Sequence, residues 1–285
     1  LVQAYDRYHQ PRGSVFSLMY HHDGPYKGSA WAFSGVTNIN LFGRDHPEML
    51  DMLHQALRAI RERVFLVDVE LAPRKDGSPG KDLTVRAANF NSQPQNVNLA
   101  VHGAKELDGQ PLTLPPGAIT RQVYPLQEGD FTDDYTQVSV VLRKSLTGPS
   151  GDSEILDTLS TAFVKTDALR SSGPEVAFTN NYFRVDGRPT FLFGTNQTGV
   201  MWFSPRENPA TWDKDFSQMR RFGLRVLRVL HFSPYAAKGY DGQGGHSPLD
   251  LAKKPPETLI QQTDELVAMC ARHGIVLILT LHDWL

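Results

Sequence analysis

The stretch Met219-Arg220-Arg221-Phe222-Gly223-Leu224-Arg225-Val226-Leu227-Arg228-Val229-Leu230 decides the fold of the C-terminal third of the chain. It joins the end of a helix that begins near Asn208 to an apolar strand at 226–230. A second helix, 256–272, and a further apolar strand, 275–281, come next. Apolar strands that alternate with amphipathic helices are typical of a parallel sheet whose strands are buried on both faces.

The segment before this stretch predicts how the sheet begins. Arg170-Ser171-Ser172-Gly173-Pro174 has the composition of a linker. Phe183-Arg184-Val185-Asp186-Gly187-Arg188-Pro189 predicts a hairpin, because Asp-Gly is a preferred pair for a two-residue turn. We then expect Thr190-Phe191-Leu192-Phe193-Gly194 to form the first buried strand of the parallel sheet.

Residues 64–165 show a period of two instead. Turn-rich stretches such as Lys75-Asp76-Gly77-Ser78-Pro79-Gly80 separate runs in which apolar and polar residues alternate. The apolar members of these runs are Val67, Val69 and Leu71; Leu83, Val85 and Ala87; Val97, Leu99 and Val101; Val138, Val140 and Leu142; and Ala162 and Val164. This pattern predicts an antiparallel β-sandwich of roughly 100 residues. It carries no catalytic signature.

The first 63 residues predict a short α/β segment. Two strand-like runs, 14–20 and 29–34, precede an amphipathic helix that begins at Pro47 and ends near Arg63. The apolar residues of this helix recur at helical spacing: Met49, Leu50, Leu53, Leu57 and Ile60.

Composition excludes two classes of partner. The 285 residues include 29 Lys and Arg against 31 Asp and Glu, so the formal net charge is −2. The chain therefore lacks the basic field that nucleic-acid binding requires. No apolar run approaches the roughly 20 residues that cross a bilayer, so we expect no membrane span. The single cysteine, Cys270, excludes an internal disulfide and is expected to be a small buried hydrophobe.

The start of the chain lacks the features of a signal peptide. Leu1-Val2-Gln3-Ala4-Tyr5-Asp6 has neither a basic region nor an apolar core, and the chain has no initiator Met. We therefore expect an excised piece or a processed product whose targeting signal has been lost.

Motifs in the C-terminal third resemble those of glycoside hydrolases of the cellulase-like clan. The family's hairpin, approximately F-x-V-x-G-K-P-x-F-L-x-G-x-N, is similar to residues 183–196. The family's M-K-x-x-G-x-N-x-V-R resembles residues 219–228, with Arg225 where Asn is common. Its A-x-x-x-G-I-x-V-I-L-x-L-H-D resembles residues 271–283. The matches occur in the family's order and spacing, which makes the resemblance specific.

The resemblance implies a fold and a function. The fold is an antiparallel β-sandwich, 64–170, followed by an incomplete (β/α)8 TIM barrel, 171–285, and preceded by the α/β segment, 1–63. The function is the hydrolysis of a β-linked poly- or oligosaccharide with retention of the anomeric configuration, and it uses neither a cofactor nor a metal. A retaining glycosidase needs an acid/base and a nucleophile, and the family carries them after the fourth and seventh barrel strands.

The resemblance places both of these carboxylates outside the chain, which ends after the third barrel strand. Glu207-Asn208 reverses the family's Asn-Glu order and follows the first strand, so we do not count it. A metal-dependent barrel hydrolase is an alternative. Against it, Thr195-Asn196-Gln197 stands after the first strand, where such an enzyme would carry a His-x-His pair.

Polar residues just past the strand ends are the candidate substrate-binding groups, because the carboxyl ends of barrel strands open onto the substrate. They are Asn196, His231, His282 and Asp283. Arg228 lies inside the second strand, where an unpaired cation would be costly. The resemblance implies that Arg228 hydrogen-bonds a catalytic carboxylate and that His282 binds the sugar. The alternatives are a structural salt bridge for Arg228 and a capping role for His282.

Three tryptophans are candidate sugar platforms, because aromatic rings pack on the apolar C–H face of a sugar. Trp202 and Trp284 follow the first and third strands, although a Trp beside a strand end can also be ordinary packing. Trp31 lies in a run that looks like the last strand of a similar barrel, with the helix from Pro47 closing it. The alternative is that the first segment is an α/β cap on the sandwich.

The expected partners are a carbohydrate substrate and whatever completes the barrel, either the rest of the polypeptide or a partner chain. The resemblance favours a secreted or periplasmic location. A rival function from another class is a non-catalytic carbohydrate-binding or scaffold protein with a degenerate barrel, since fold alone does not determine function.

Overall fold

The computed structural model describes residues 2–5, 11–35, 40, 43–74, 76–145, 153–179, 181–197, 208–229 and 257–280. Antiparallel sheets dominate these residues, and one three-stranded sheet is parallel.

The first segment contains an antiparallel sheet and a helix. The strands β1 (Val2–Tyr5), β2 (Pro11–Tyr20) and β3 (Ala30–Ser34) pair in the order β1-β2-β3. The helix α1 spans Pro47–Glu62, close to its predicted bounds. Because β2 and β3 pair antiparallel, the sheet has the form of a meander. The strand of Trp31 pairs antiparallel with its neighbour, whereas neighbouring strands of a (β/α)8 barrel run parallel.

A β-sandwich follows, as the period-two runs predicted. Its strands are β4 (Val64–Pro73), β5 (Lys81–Asn89), β6 (Gln95–His102), β7 (Leu107–Leu114), β8 (Ala118–Leu126), β9 (Tyr135–Ser145) and β10 (Ser153–Val164). They form two sheets, β4-β5-β8 and β10-β9-β6-β7. The inward-facing residues of both sheets share one core, in which Leu83 and Val85 meet Leu99 and Val140.

A β-bulge changes which side of β4 faces this core. The register of β4 against β5 shifts between Leu66 and Asp68. Val69 faces the sandwich core as predicted, whereas Val67 packs with Phe65 and Ala88 in a second core on the other face of the sheet. The prediction that Val67 shares a face with Val69 was therefore wrong, because the extra residue at a bulge interrupts the alternation.

The second core is closed by the first segment. The ring of Tyr20, at the end of β2, stacks on Phe65 with centroids 4.0 Å apart. Burial, and secondarily the charge of Asp157, raises the pKa of the Tyr20 hydroxyl. The helix α1 is tied to the sandwich by ion pairs from Arg58 to Glu154 and from Lys144 to Glu62, and the hydrogen bond from Lys144 lowers the pKa of Glu62.

Asp157 joins the two sheets of the sandwich at their edge. Strand β10 has its own register shift between Ile155 and Asp157. Asp157 Oδ2 accepts a hydrogen bond of 2.9 Å from the backbone N–H of Leu66 on β4. The carboxylate thereby satisfies a donor next to the bulge, which would be costly to leave unpaired inside the fold.

The hairpin predicted from the Asp-Gly pair is confirmed. The strands β11 (Val176–Phe178), β12 (Phe183–Val185) and β13 (Arg188–Thr190) form an antiparallel sheet. Asp186 and Gly187 have φ values of 49° and 74°, as a two-residue hairpin turn with both central residues left-handed requires.

The C-terminal third contains the predicted alternation of strands and helices. A short helix, α2 (Thr166–Arg170), leads out of the sandwich. The strands β14 (Gly194–Gln197), β15 (Val226–Val229) and β16 (Val276–Leu279) pair parallel in the order β14-β15-β16. The helices α3 (Pro209–Arg221) and α4 (Glu257–Arg272) connect them in sequence. Asn208 caps α3, since its side chain accepts from the N–H groups of Ala210 and Thr211.

The first strand of this sheet begins later than predicted. Thr190 pairs with Phe183 in the hairpin, so it cannot join the parallel sheet as well. Phe191 and Phe193 are 90% and 58% exposed, and the strand begins at Gly194. A Cβ at Gly194 would lie 2.0 Å from the carbonyl oxygen of Val226, so glycine permits the close approach of β14 to β15.

Within the described residues the parallel sheet is open, and the helices cover one of its faces. Leu227 and Val229 share a core with Trp212 of α3 and Leu266 of α4, and Val164 at the end of the sandwich joins them. The expectation that both faces are buried was wrong for the described part, because Arg228 and Ile278 are exposed on the other face. Cys270 is buried in this core, which raises the pKa of its thiol to about 12.

The bond between Asp157 and Leu66 can be tested by removing the carboxylate. Asp157→Ala should lower the free energy of unfolding by about 1.5–3 kcal/mol, since a hydrogen bond to a charged group is lost and a backbone donor is left without its partner. Chemical denaturation monitored by circular dichroism measures this. Asp167→Ala, at an exposed ion pair with Arg170, is the matched control and should leave stability nearly unchanged. Equal stability of the two variants would contradict the role of Asp157.

Candidate substrate-binding face of the parallel sheet

The register of the parallel sheet brings two predicted site residues together. Asn196 on β14 pairs with Arg228 on β15, which pairs in turn with Ile278 on β16. Residues in register on neighbouring strands direct their side chains to the same face, and the strands lie about 4.8 Å apart. Asn196, Arg228 and Ile278 thus form one row, which we call the exposed row.

The exposed row lies on the face away from the helices. Leu227, which precedes Arg228 on β15, is fully buried against α3 and α4. Successive side chains of a strand point to opposite faces, so Arg228 points away from the helical layer. In a (β/α)8 barrel the corresponding face is the interior.

Arg228 is held by a residue that the sequence did not suggest. Its Nε donates a hydrogen bond of 3.1 Å to Oγ1 of Thr280, which lies just past the end of β16. The backbone N–H of Thr280 donates to the carbonyl oxygen of Val229, which keeps the chain beside β15. The two terminal amino groups of a guanidinium carry four further N–H donors in a planar fork that suits a carboxylate or sugar hydroxyls.

Thr280 could have been found by the same rule that selected Asn196. It is a polar residue next to the carboxyl end of an apolar strand, where barrel substrates bind. The Arg228 side chain is exposed in the described residues, and it is paired there through its hydrogen bond to Thr280.

The remaining predictions divide into two groups. One group lies outside the described residues: His231, His282, Asp283, Trp202 and Trp284. The other is Trp31, which lies on β3 in the first segment and not on the parallel sheet.

Trp31 belongs to an exposed aromatic cluster. Its ring lies 4.5 Å from that of His21, 5.0 Å from that of Tyr26 and 6.2 Å from that of Phe33, measured between centroids. Tyr26, Trp31 and Phe33 are all exposed. The turn that carries Tyr26 is held by hydrogen bonds from Ser29 N–H and Oγ to the Tyr26 carbonyl. Such an aromatic surface can accept the apolar face of a sugar ring.

A polar cleft of about 550 Å³ lies between the sandwich and α3. Asp213 and Asp215 of α3 and Ser160 of β10 are among its lining residues. Burial raises the pKa of Asp215, whereas Asp213 is bonded to His273 and Arg272. Neither carboxylate follows a strand of the parallel sheet, so this cleft is separate from the predicted site.

Metal and membrane sites were searched in the described part of the chain. No group of three or more His, Cys, Asp or Glu side chains there could hold a metal ion. No described helix combines the length and apolar character of a membrane span.

Comparison with known proteins gave distant structural likenesses. No protein-family model and no curated protein matches the sequence. A GH2 β-galacturonidase from Eisenbergiella tayi is similar over 76% of this chain and 32% of its own, with 15% identity and a TM-score of 0.30. A β-glucuronidase from Bifidobacterium dentium is similar over 76% and 30%, with 14% identity and a TM-score of 0.29.

A FixG-related protein from Vibrio parahaemolyticus is similar over 36% of this chain and 92% of its own, with 18% identity and a TM-score of 0.25. The chain spans about a third of the length of the two glycosidases. The likenesses are distant, so the function proposed below rests on the motifs and on the geometry of the parallel sheet.

The two faces of β15 should respond differently to truncation. Leu227→Ala should lower the free energy of unfolding by about 2–5 kcal/mol, because it opens a cavity under both helices. Arg228→Ala should change it little, because the side chain is exposed. Denaturation followed by the fluorescence of the tryptophans, among them the buried Trp212, measures both. A larger loss for Arg228→Ala would show that its side chain is packed and would contradict the described orientation.

Proposed function

We propose that the chain is part of a retaining glycoside hydrolase that acts on a β-linked poly- or oligosaccharide. The observation that carries the proposal is the exposed row. Asn196 and Arg228, which the motifs single out, lie in register on the face of a parallel sheet opposite its helices.

The order of the elements supports a (β/α)8 barrel that opens with β14, β15 and β16. Each is parallel to the next, and α3 and α4 both pack on the side of Leu227. Successive right-handed crossovers place their helices on the same face of a sheet, as in the outer ring of a barrel. The proposed division of the chain is an α/β segment, 1–63, a sandwich, 64–170, and the beginning of the barrel, 171–285.

In this proposal the described residues bind and orient groups and do not perform the covalent chemistry. The guanidinium of Arg228, braced by Thr280, would orient a carboxylate through paired hydrogen bonds. The amide of Asn196 would donate to a sugar hydroxyl or to the same carboxylate. His231, His282, Asp283, Trp202 and Trp284 are proposed as further substrate-binding residues, and the acid/base and the nucleophile lie outside this chain.

Exposed apolar residues on and beside the parallel sheet indicate that further chain segments cover it. Ile278 is exposed on β16, and Phe191 and Phe193 are exposed before β14. Strand edges and apolar faces of this kind are prone to pair with other chains. We therefore expect further barrel strands, from the same polypeptide or from a partner chain, to cover them. A secreted or periplasmic location belongs to the same proposal.

The second candidate is a non-catalytic carbohydrate-binding protein. The observation that favours it is the exposed aromatic cluster of Tyr26, Trp31 and Phe33. This surface needs no catalytic carboxylate, and it lies on a different sheet from the exposed row.

Arg228 offers the direct test of the enzymatic proposal. In the protein that carries the complete barrel, Arg228→Lys should lower kcat by roughly a hundredfold, because Lys cannot orient a carboxylate through a planar fork. Hydrolysis of aryl β-glycosides and of soluble β-linked polysaccharides measures this, with the melting temperature as a check on folding. Arg184→Lys, in the hairpin where Arg184 bonds the Gly187 carbonyl, is the control. Normal turnover by Arg228→Lys would leave Arg228 without a role in the reaction.

Trp31 tests the second candidate on the chain of 285 residues. If the aromatic cluster binds carbohydrate, Trp31→Ala should weaken binding to a soluble β-linked polysaccharide roughly tenfold in affinity electrophoresis, because a stacking platform is lost. Tyr182→Ala removes an exposed aromatic ring elsewhere and should leave binding unchanged. Equal retardation of both variants and the unchanged chain would exclude the cluster as the binding surface.

A further inference from the structure

A polar cluster lies where the sandwich meets the helices of the parallel sheet. Its members are Tyr135 at the start of β9, Asp213 on α3, Arg272 at the end of α4 and His273 just after it. We call it the junction cluster. His273 Nε2 lies 2.8 Å from Asp213 Oδ1, and Arg272 Nε donates to the same oxygen at 3.3 Å.

Arg272 extends the cluster to the sandwich. Its guanidinium carbon lies 4.5 Å from the centre of the Tyr135 ring, within the range of a cation–π interaction. Tyr135 pairs with Val164 at the end of β10, and Val164 belongs to the core shared with α3 and α4. One carboxylate oxygen of Asp213 thus connects α3, α4 and, through Arg272, the sandwich.

His273 is the titratable centre of the cluster. It is 8% exposed, and its ring meets Phe216 edge-on with centroids 6.0 Å apart. Because the carboxylate of Asp213 can only accept, Nε2 of His273 carries the proton of their hydrogen bond. The neutral imidazole already fills this role. A second proton on the ring would place a positive charge beside Arg272, which donates to the same carboxylate oxygen, inside a largely buried site.

The position of His273 couples this bond to the sheet. The backbone N–H of Ile275, two residues on, donates to the Cys270 carbonyl, and Val276 N–H donates to the Arg225 carbonyl. The chain therefore passes from α4 through His273 directly into the pairing of β16 with β15. His273 therefore lies next to the end of α4, to Arg272 and to the start of β16.

We propose that the junction cluster is a pH-sensitive latch, which holds the sandwich against the helical layer while His273 is neutral and loosens when the ring is protonated. This inference does not depend on the proposed function, because it concerns only contacts between described elements.

The charges that face His273 determine the direction of the effect. They are Asp213 and Arg220 on α3 and Arg272 on α4, with the neutral hydroxyl of Tyr135 on β9. Burial lowers the pKa of His273 below its usual range, the bond and charge of Asp213 raise it, and Arg272 and Arg220 lower it, with a net lowering. Tyr135 stays protonated, since burial, and secondarily the charge of Asp213, raises its pKa to about 12.

The sign of the stability change follows from linkage. A His whose pKa is lower in the folded state binds fewer protons there than in the unfolded chain, so acidification favours unfolding. The stabilisation is fully present above the usual pKa of a free His. It is lost as the pH falls from that value through the lowered pKa of the folded state.

The test compares His273→Gln with His102→Gln on the chain of 285 residues. Gln places an amide donor near the position of Nε2 but cannot be protonated. His102 is exposed and bonds Glu106 at 2.8 Å, so it is the matched control. Melting temperatures are measured between about pH 8 and about pH 5, the range in which His titrates. We expect His273→Gln to remove about 2–4 °C of the acid-induced decrease and His102→Gln to retain all of it.

Hydrogen exchange locates the effect. After correction for the intrinsic pH dependence of exchange, acid should increase exchange at the start of β9 and the end of α4 more than in β5, and His273→Gln should abolish the difference. An unchanged decrease in melting temperature in His273→Gln, or an equal loss of it in His102→Gln, would overturn the proposal.

A second variant covers the case in which His273→Gln does not fold. Asp213→Asn keeps an acceptor for Nε2 but removes the charge that raises the pKa of His273. The midpoint of the acid-induced decrease should then move to lower pH. A midpoint that stays in place would show that another group titrates, and would overturn the latch.

Discussion

Strand β15 has one face that is buried under two helices, and the arrangement of the C-terminal third depends on that constraint. Leu227 and Val229 enter a core with residues of α3 and α4. Since side chains alternate along a strand, the burial of Leu227 directs Arg228 to the opposite face. Parallel pairing then places Asn196 and Ile278 beside it. The candidate site is therefore a geometric consequence of how the hydrophobic core is packed.

The same core fixes how the sandwich meets the parallel sheet. Val164 at the end of β10 and Leu169 of α2 lie among the residues of α3 and α4. The hydrophobic effect that stabilises this contact is non-directional. The hydrogen bonds of Asp213 and the contact of Arg272 with Tyr135 are directional, and they lie at the rim of this core. The apolar core and these polar contacts therefore both join the sandwich to the helical layer.

The sandwich is subject to a different constraint, because β4 and β5 contribute buried residues to a core on each face of their sheet. One face forms the sandwich core, and the other packs Phe65, Val67 and Ala88 against Tyr20 of the first segment. The bulge of β4 shifts the alternation of its side chains, so that Val67 and Val69 face different cores. It also leaves a backbone donor near the strand edge, and Asp157 of β10 accepts from it. The register shift of β4 and the register shift of β10 are thus joined by the hydrogen bond between Leu66 and Asp157.

Local features of the sequence could predict many of the elements. Pro47 and Asn208 mark the starts of α1 and α3, and the Asp186-Gly187 pair marks a hairpin turn. Each of these signals acts within a few residues through capping, fixed φ or turn geometry, so it survives without knowledge of the fold. The alternation that predicted the sandwich and the parallel strands is equally local. The likeness of Asn196 and Arg228 to a family motif was also visible in sequence.

Only the tertiary structure could decide which strands pair and which side chains come into contact. Thr190 was expected in the parallel sheet, but it hydrogen-bonds within the hairpin instead. Val67 lies on the unexpected face because of a bulge, and whether a bulge forms depends on the paired strand. Arg228 meets Thr280, 52 residues away, and Asp213 meets His273, 60 residues away. By itself the sequence determined the helices, strands and turns, whose causes are local. The tertiary structure decided pairing, burial and these two contacts, because they depend on groups that are close in space only after the chain has folded.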